Sequence, residues 1–113
     1  MFFDTYRCKN IGPNDLNEMQ RSGADFLLLD VRTPQENEAL AIEGSYLIPL
    51  QELVHRIHEL PKDKEIVVYC RIGNRSASAC AYLSRMGFNV KNLDGGIMLW
   101  TMAGNVSQSS ISR

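Results

Sequence analysis

The sequence predicts an α/β domain organised on a parallel sheet, and two observations carry that prediction. Residues 26–29 (Phe-Leu-Leu-Leu) and 65–69 (Glu-Ile-Val-Val-Tyr) are short apolar runs bounded by polar residues, the pattern of strands buried on both faces. Three weaker strand candidates, residues 6–9, 45–48 and 89–93, alternate with segments compatible with helix, giving about five strands in all.

The elements between them follow from local chemistry. Pro13 occupies a first helical position and opens a helix over residues 14–21, with Leu16 and Met19 on one face and Gly23 as its stop. Leu50, Leu53, Val54, Ile57 and Leu60 recur at helical spacing, which predicts one amphipathic helix ended by Pro61. His55 and His58 lie on one side of it near Glu52 and Glu59 and read as an exposed helix face rather than metal ligands, so no metal is expected. Trp100, with Ile97 and Met98, reads as a packing helix. We expect a single domain over residues 1–104 followed by a polar C-terminal tail, residues 105–113.

Composition bounds the function. With 44% apolar residues, including four Phe, four Tyr and one Trp, the 113-residue chain can bury a core without staples. Twelve Lys and Arg against thirteen Asp and Glu give a net charge of -1, so no overall field draws the chain to nucleic acid or anionic lipid. No apolar run approaches the roughly 20 residues that span a bilayer, and the N-terminus does not resemble a signal peptide. A soluble, cytoplasmic protein is expected. The three cysteines, at 8, 70 and 80, fit neither a disulfide framework nor a zinc knuckle. Cys8 reads as structural, and Cys80 as a core residue of the helix that follows residue 76.

Cys70 reads differently. It ends a buried strand, and the loop Arg71-Ile72-Gly73-Asn74-Arg75-Ser76 leads from it directly into an alanine-rich helix. Ligands of open α/β sheets bind at the carboxyl ends of strands, where successive amides and a helix N-terminus make an anion-binding nest. Gly73 lets the chain curl inward, and Arg71 and Arg75 are expected to add positive charge around the sulfur. Such surroundings lower a thiol's pKa and make the thiolate available as a nucleophile.

This loop, Cys70-Arg71-Ile72-Gly73-Asn74-Arg75, resembles the Cys-x-x-Gly-x-Arg active loop of the rhodanese-like sulfurtransferases, which begins at a persulfide-forming cysteine. Other marks of that family stand in the same order: Asp30-Val31-Arg32, Ile42-x-Gly44-Ser45 leading to Ile48-Pro49, and Gly95-Gly96 followed by Trp100 and Gly104. The resemblance spans about residues 6–104 and implies the rhodanese-like fold, a central parallel sheet with helices on both faces. It departs where many relatives carry a histidine before the Ile-x-Gly turn, an aromatic residue earlier in that segment and a glycine between them. Ala41, Asn37 and Leu40 stand there, positions that bear on substrate preference and partner docking rather than on the nucleophile.

The loop is also one residue too short for a cysteine phosphatase. Those enzymes use Cys-x5-Arg, whereas Arg75 makes Cys-x4-Arg and Ser76 holds the phosphatase arginine's place. The reading is therefore a thiosulfate sulfurtransferase acting by double displacement through a Cys70 persulfide. Arg71 through Ser76 form the substrate-binding cradle, and Asp30, Arg32, Gly95, Gly96 and Trp100 support it. No cofactor is expected. The partners are a small-molecule sulfur donor and an acceptor such as cyanide or a thiol, a protein thiol among them. The alternative is a rhodanese-like protein-binding or sulfur-delivery module with little thiosulfate turnover.

Overall fold

The computed structural model describes residues 8–105. Five parallel strands form one sheet in the order β1-β5-β4-β2-β3: β1 (Lys9–Ile11), β2 (Phe26–Asp30), β3 (Tyr46–Leu47), β4 (Glu65–Tyr69) and β5 (Val90–Leu93). The helices are α1 (Pro13–Arg21), α2 (Pro34–Ala39), α3 (Leu53–Arg56), α4 (Asn74–Arg85) and α5 (Gly96–Met102). The α/β class and the parallel sheet match the expectation. The predicted first strand at residues 6–9 meets the observed one at Lys9: β1 runs from Lys9 to Ile11, and residues 6 and 7 lie outside the described residues, as does the predicted tail beyond Asn105.

Strand periodicity divides the core in two. Along β4, Ile66 and Val68 point with Cys70 into a cluster under α4 that includes Ala79, Cys80 and Leu83; Val67 and Tyr69 point the other way, toward Leu16 of α1 and Ile97 and Trp100 of α5. Both faces of the central strands are thus covered, which is why their sequence is continuously apolar. Trp100 is buried, as a packing residue should be. Among the described residues no helix is long and apolar enough to cross a membrane.

The predicted amphipathic helix over residues 50–60 is broken into three pieces, with 3₁₀ turns at Leu50–Glu52 and Ile57–Glu59 flanking α3. A 3₁₀ turn aligns residues three apart. It sets Leu50 beside Leu53 and Ile57 beside Leu60 against the core, and Val54, which a regular helix would have brought inward, stays exposed.

Cysteine pairing departs most from expectation. Cys8 and Cys80, read from the sequence as two unpaired structural thiols, form a disulfide across 72 residues, with Cα atoms 5.6 Å apart. The cause is the sheet order. Lys9 pairs with Lys91, so Cys8 lies level with Val90, which shares the core under α4 with Cys80. Closing so long a loop removes conformational freedom from the unfolded chain and contributes roughly 4 kcal/mol. Cys8→Ser is therefore expected to unfold at markedly lower denaturant concentration than the oxidised parent and to lose the parent's sensitivity to dithiothreitol. Equal midpoints with and without reductant in the parent would contradict this.

Candidate active site

Cys70 follows the last residue of β4 and is buried, the one free cysteine among the described residues. The chain turns back over it through Gly73, whose φ of +112° is open to glycine and costly for other residues. A Cβ there would also lie 3.5 Å from the amide nitrogen of Gly95, so the loop and the turn before α5 are closely fitted. Gly73 is the N-cap of α4, and three donors converge on the sulfur. The amide of Gly73 donates to Cys70 Sγ at 3.1 Å, the amide of Ser76 at 3.3 Å and the hydroxyl of Ser76 at 3.2 Å.

These contacts set the state of the thiol. Burial pushes its pKa up, but hydrogen bonds from the Ser76 hydroxyl and from the amides of Ser76, Gly73 and Ile72 outweigh that, and the pKa lies below the ordinary value. The positive end of α4 adds to the same effect. A ring of donors so placed favours the thiolate form of the sulfur. The same donors suit a negative charge on a further sulfur atom attached to it. Ser76 was read from the sequence for its amide; the hydroxyl contact was not, because a serine in the first turn of a helix ordinarily bonds locally.

The two arginines divide. Arg75 forms a bidentate pair with Glu36 of α2, Nη1 to Oε1 at 2.8 Å and Nη2 to Oε2 at 2.9 Å, and this bond to Arg75 holds the Glu36 carboxyl down to about 2. Its charge is largely matched by that carboxylate, and it also interacts electrostatically with Cys70. Arg71 is exposed, and its guanidinium has no hydrogen bond or ion pair to any described residue. Ile72 is half exposed at the rim and Asn74 opens α4 in an exposed position, so neither side chain contributes to the ring around the sulfur.

Asp30 and Arg32 lie beneath the mouth of the site as a buried ion pair. Arg32 Nε and Nη2 donate to the two oxygens of Asp30 at 2.9 and 2.8 Å, and Nη2 also donates to the Leu40 carbonyl at 2.7 Å. The partner of Arg32 is thus Asp30, and Glu36 is taken by Arg75. The Asn37 side-chain amide and the Tyr69 hydroxyl both donate to Asp30, at 3.0 and 3.1 Å, while the Ile42 amide donates to the Tyr69 hydroxyl at 3.2 Å. Burial and the Asp30 charge push Tyr69 up to about 12, so it remains a neutral donor. This network fixes residues 37–42 against the sheet.

Gly95 and Gly96 close the other side. The amide of Ile97 donates to the Cys70 carbonyl and that of Met98 to the Arg71 carbonyl, each at 3.0 Å, so α5 is docked on the backbone of Cys70 itself. Trp100 lies in the core behind that contact and does not reach the sulfur ring.

Comparison with known proteins agrees with this fold. The family model described as Rhodanese-like domain matches residues 12–103. The chain is 40% identical over 95 residues to a sulfurtransferase of Allochromatium vinosum, covering 83% of this chain and 89% of that protein. It is 40% identical over 93 residues to the thiosulfate sulfurtransferase GlpE of Pseudomonas syringae pv. syringae, covering 81% and 86%. Among solved structures, a rhodanese-related protein from Thermoplasma volcanium superposes with a TM-score of 0.82 at 36% identity, covering 88% of this chain and 97% of that one.

Proposed function

Because the chain belongs to the rhodanese-like domain family, we propose that it is a thiosulfate sulfurtransferase whose Cys70 carries the sulfur atom in transit. In the first half-reaction the Cys70 thiolate attacks the outer sulfur of thiosulfate; a new S–S bond forms at Cys70, the donor's S–S bond breaks, and sulfite leaves with the electron pair. In the second, a nucleophile such as cyanide or a thiolate takes the outer sulfur and the Cys70 thiolate is restored. The supporting observation is the convergence of the Gly73 amide, the Ser76 amide and the Ser76 hydroxyl on one sulfur atom. Those donors hold the thiolate before reaction, and the ring they form holds the charged outer sulfur after it.

Intact-protein mass measured after incubation with thiosulfate in the absence of reductant is the test. A gain of one sulfur atom that disappears on adding cyanide is expected. No adduct would favour the alternative of a binding or delivery module.

The arginines are assigned separate roles. Arg71, exposed and unpaired, attracts the anionic donor; Arg75, tied to Glu36, holds α2 against α4. Arg71→Ala is expected to raise the thiosulfate KM about tenfold and to flatten its dependence on salt, as loss of one partly exposed charge contact does. Arg75→Ala should cost stability as well as turnover. An unchanged thiosulfate dependence in Arg71→Ala at low salt would assign recruitment to the backbone nest alone.

A further inference from the structure

Asn92 of β5 is 4% exposed and stands level with Val68 of β4, on the same side of its strand as Val90, so it lies on the apolar face that α4 covers. A carboxamide is an unfavourable choice there. Its Nδ2 donates to Asn10 Oδ1 of β1 at 3.1 Å, but its own Oδ1 is buried with no hydrogen-bond partner among the described residues. A leucine of similar size would fill the same place without that loss. What the amide touches gives it a use. The three atoms nearest a Cβ on Gly73 would be the Gly95 amide nitrogen at 3.5 Å, the Leu93 carbonyl oxygen at 4.0 Å and Asn92 Nδ2 at 4.0 Å, so Asn92 supplies the side chain in the floor under the Gly73 turn. Gly73 is the residue whose own amide donates to Cys70 Sγ. Nδ2 is the positive end of the carboxamide, and Asn10, by accepting from it, holds that end in the floor.

Resting on the reading of Cys70 as the sulfur-carrying nucleophile, we propose that Asn92 is a positioning residue for it: held by Asn10, its carboxamide props the Gly73 turn and keeps the Gly73 amide on the sulfur. Without that prop the turn settles toward β5, the Gly73 donor draws away, and the thiolate loses a hydrogen bond that favours it. The charged groups around Cys70 are not altered by a change at Asn92: Arg71 of the loop, Arg75 of α4 with Glu36 of α2, and Asp30 with Arg32 at the end of β2. α5 carries no charged residue, and Glu52 and Asp94 in the neighbouring turns are exposed.

The test is the pH titration of the Cys70 thiol, read as ultraviolet thiolate absorbance against the Cys70→Ser protein without reductant, when Cys8 and Cys80 are joined and Cys70 is the free thiol. In Asn92→Leu and in Asn10→Ala the midpoint is expected to rise by about one pH unit, so that sulfur uptake from thiosulfate at a pH below the midpoint slows about tenfold. In Asn10→Asp the new carboxylate can only accept, which keeps Nδ2 in the floor, and the midpoint is expected to return to near the parent's. Thermal melting separates positioning from packing: Asn92→Leu is expected to melt no lower than the parent, because it removes an unpaired buried acceptor. A parent-like thiol midpoint in Asn92→Leu or in Asn10→Ala overturns the proposal, as does a midpoint in Asn10→Asp raised as far as in Asn10→Ala. Should Asn92→Leu melt lower or fail to fold, the two Asn10 variants decide. If the parent takes up no sulfur from thiosulfate, the sulfurtransferase reading falls, and the thiol titration still decides the role of Asn92.

Discussion

Cys70→Ser is expected to abolish transfer from thiosulfate to cyanide, lowering kcat/KM by at least about 10³-fold, while the protein stays folded. Serine is close to cysteine in size, and its oxygen still accepts the hydrogen bonds now made to sulfur by Gly73 and Ser76, so the loop keeps its shape. The chemistry is what changes. An alcohol does not ionise near neutral pH even in this ring, and an oxygen cannot carry sulfur as a persulfide. Steady-state rates and thermal melting on the same preparation check both halves. A variant retaining a tenth of the parent's activity would remove Cys70 from the mechanism, and a variant that failed to fold would show the sulfur to be structural.

Gly96→Ala is expected to damage stability and activity together. A Cβ at that position would lie 2.4 Å from the Arg71 carbonyl oxygen and 2.6 Å from that of Cys70, and both are backbone atoms that no rotamer change can move. The residue also has φ of +62°, where alanine is strained by about 1 kcal/mol. Displacing the backbone adds up to about 3 kcal/mol of overpacking. The two hydrogen bonds that dock α5 on Cys70 and Arg71 are worth about 1 kcal/mol each. The sum is up to about 6 kcal/mol, a large part of a domain's stability. Because the displaced atoms belong to the peptide of Cys70, the proposed nucleophile, kcat is expected to fall in whatever fraction remains folded. Chemical denaturation and single-turnover sulfur loading measure the two effects, and a variant with the parent's midpoint would show that α5 is not held where Gly96 puts it.

What could be read in the sequence was what depends on neighbours in the chain. The runs 26–29 and 65–69 announce buried strands because both faces of a parallel sheet demand apolar residues. The curl from Cys70 to Ser76 is legible because glycine and the strand-to-helix junction are adjacent in sequence. The rest depends on contacts between distant segments. Nothing near residue 8 indicates that sheet order brings it to residue 80, and Glu36 as the partner of Arg75 lies 39 residues away from it. A local signal was available for α2, which has Pro34 at its first position and a capping box in which Thr33 accepts from the Glu36 amide at 3.1 Å and the Thr33 amide donates to Glu36 at 3.0 Å. The broken helix over residues 50–59 shows the opposite failure: periodicity counted Val54 as inward, and packing turned it out.

In covalent terms, the bond between residues 8 and 80 makes the protein a closed ring with a tail. Cys70 and the donors to its sulfur lie on the ring, whereas β5 and α5, whose Ile97 amide holds the Cys70 carbonyl, lie on the tail. A single protease cut in the exposed turn at Lys62 and Asp63 therefore opens the ring without releasing a fragment from it. A cut at the exposed residues Met86 and Gly87 frees the tail from every covalent tie to the nucleophile. Reduction removes the distinction, since either cut then yields two separate chains. The same nick thus has different consequences for the site according to which side of residue 80 it falls on and whether the two sulfurs are joined.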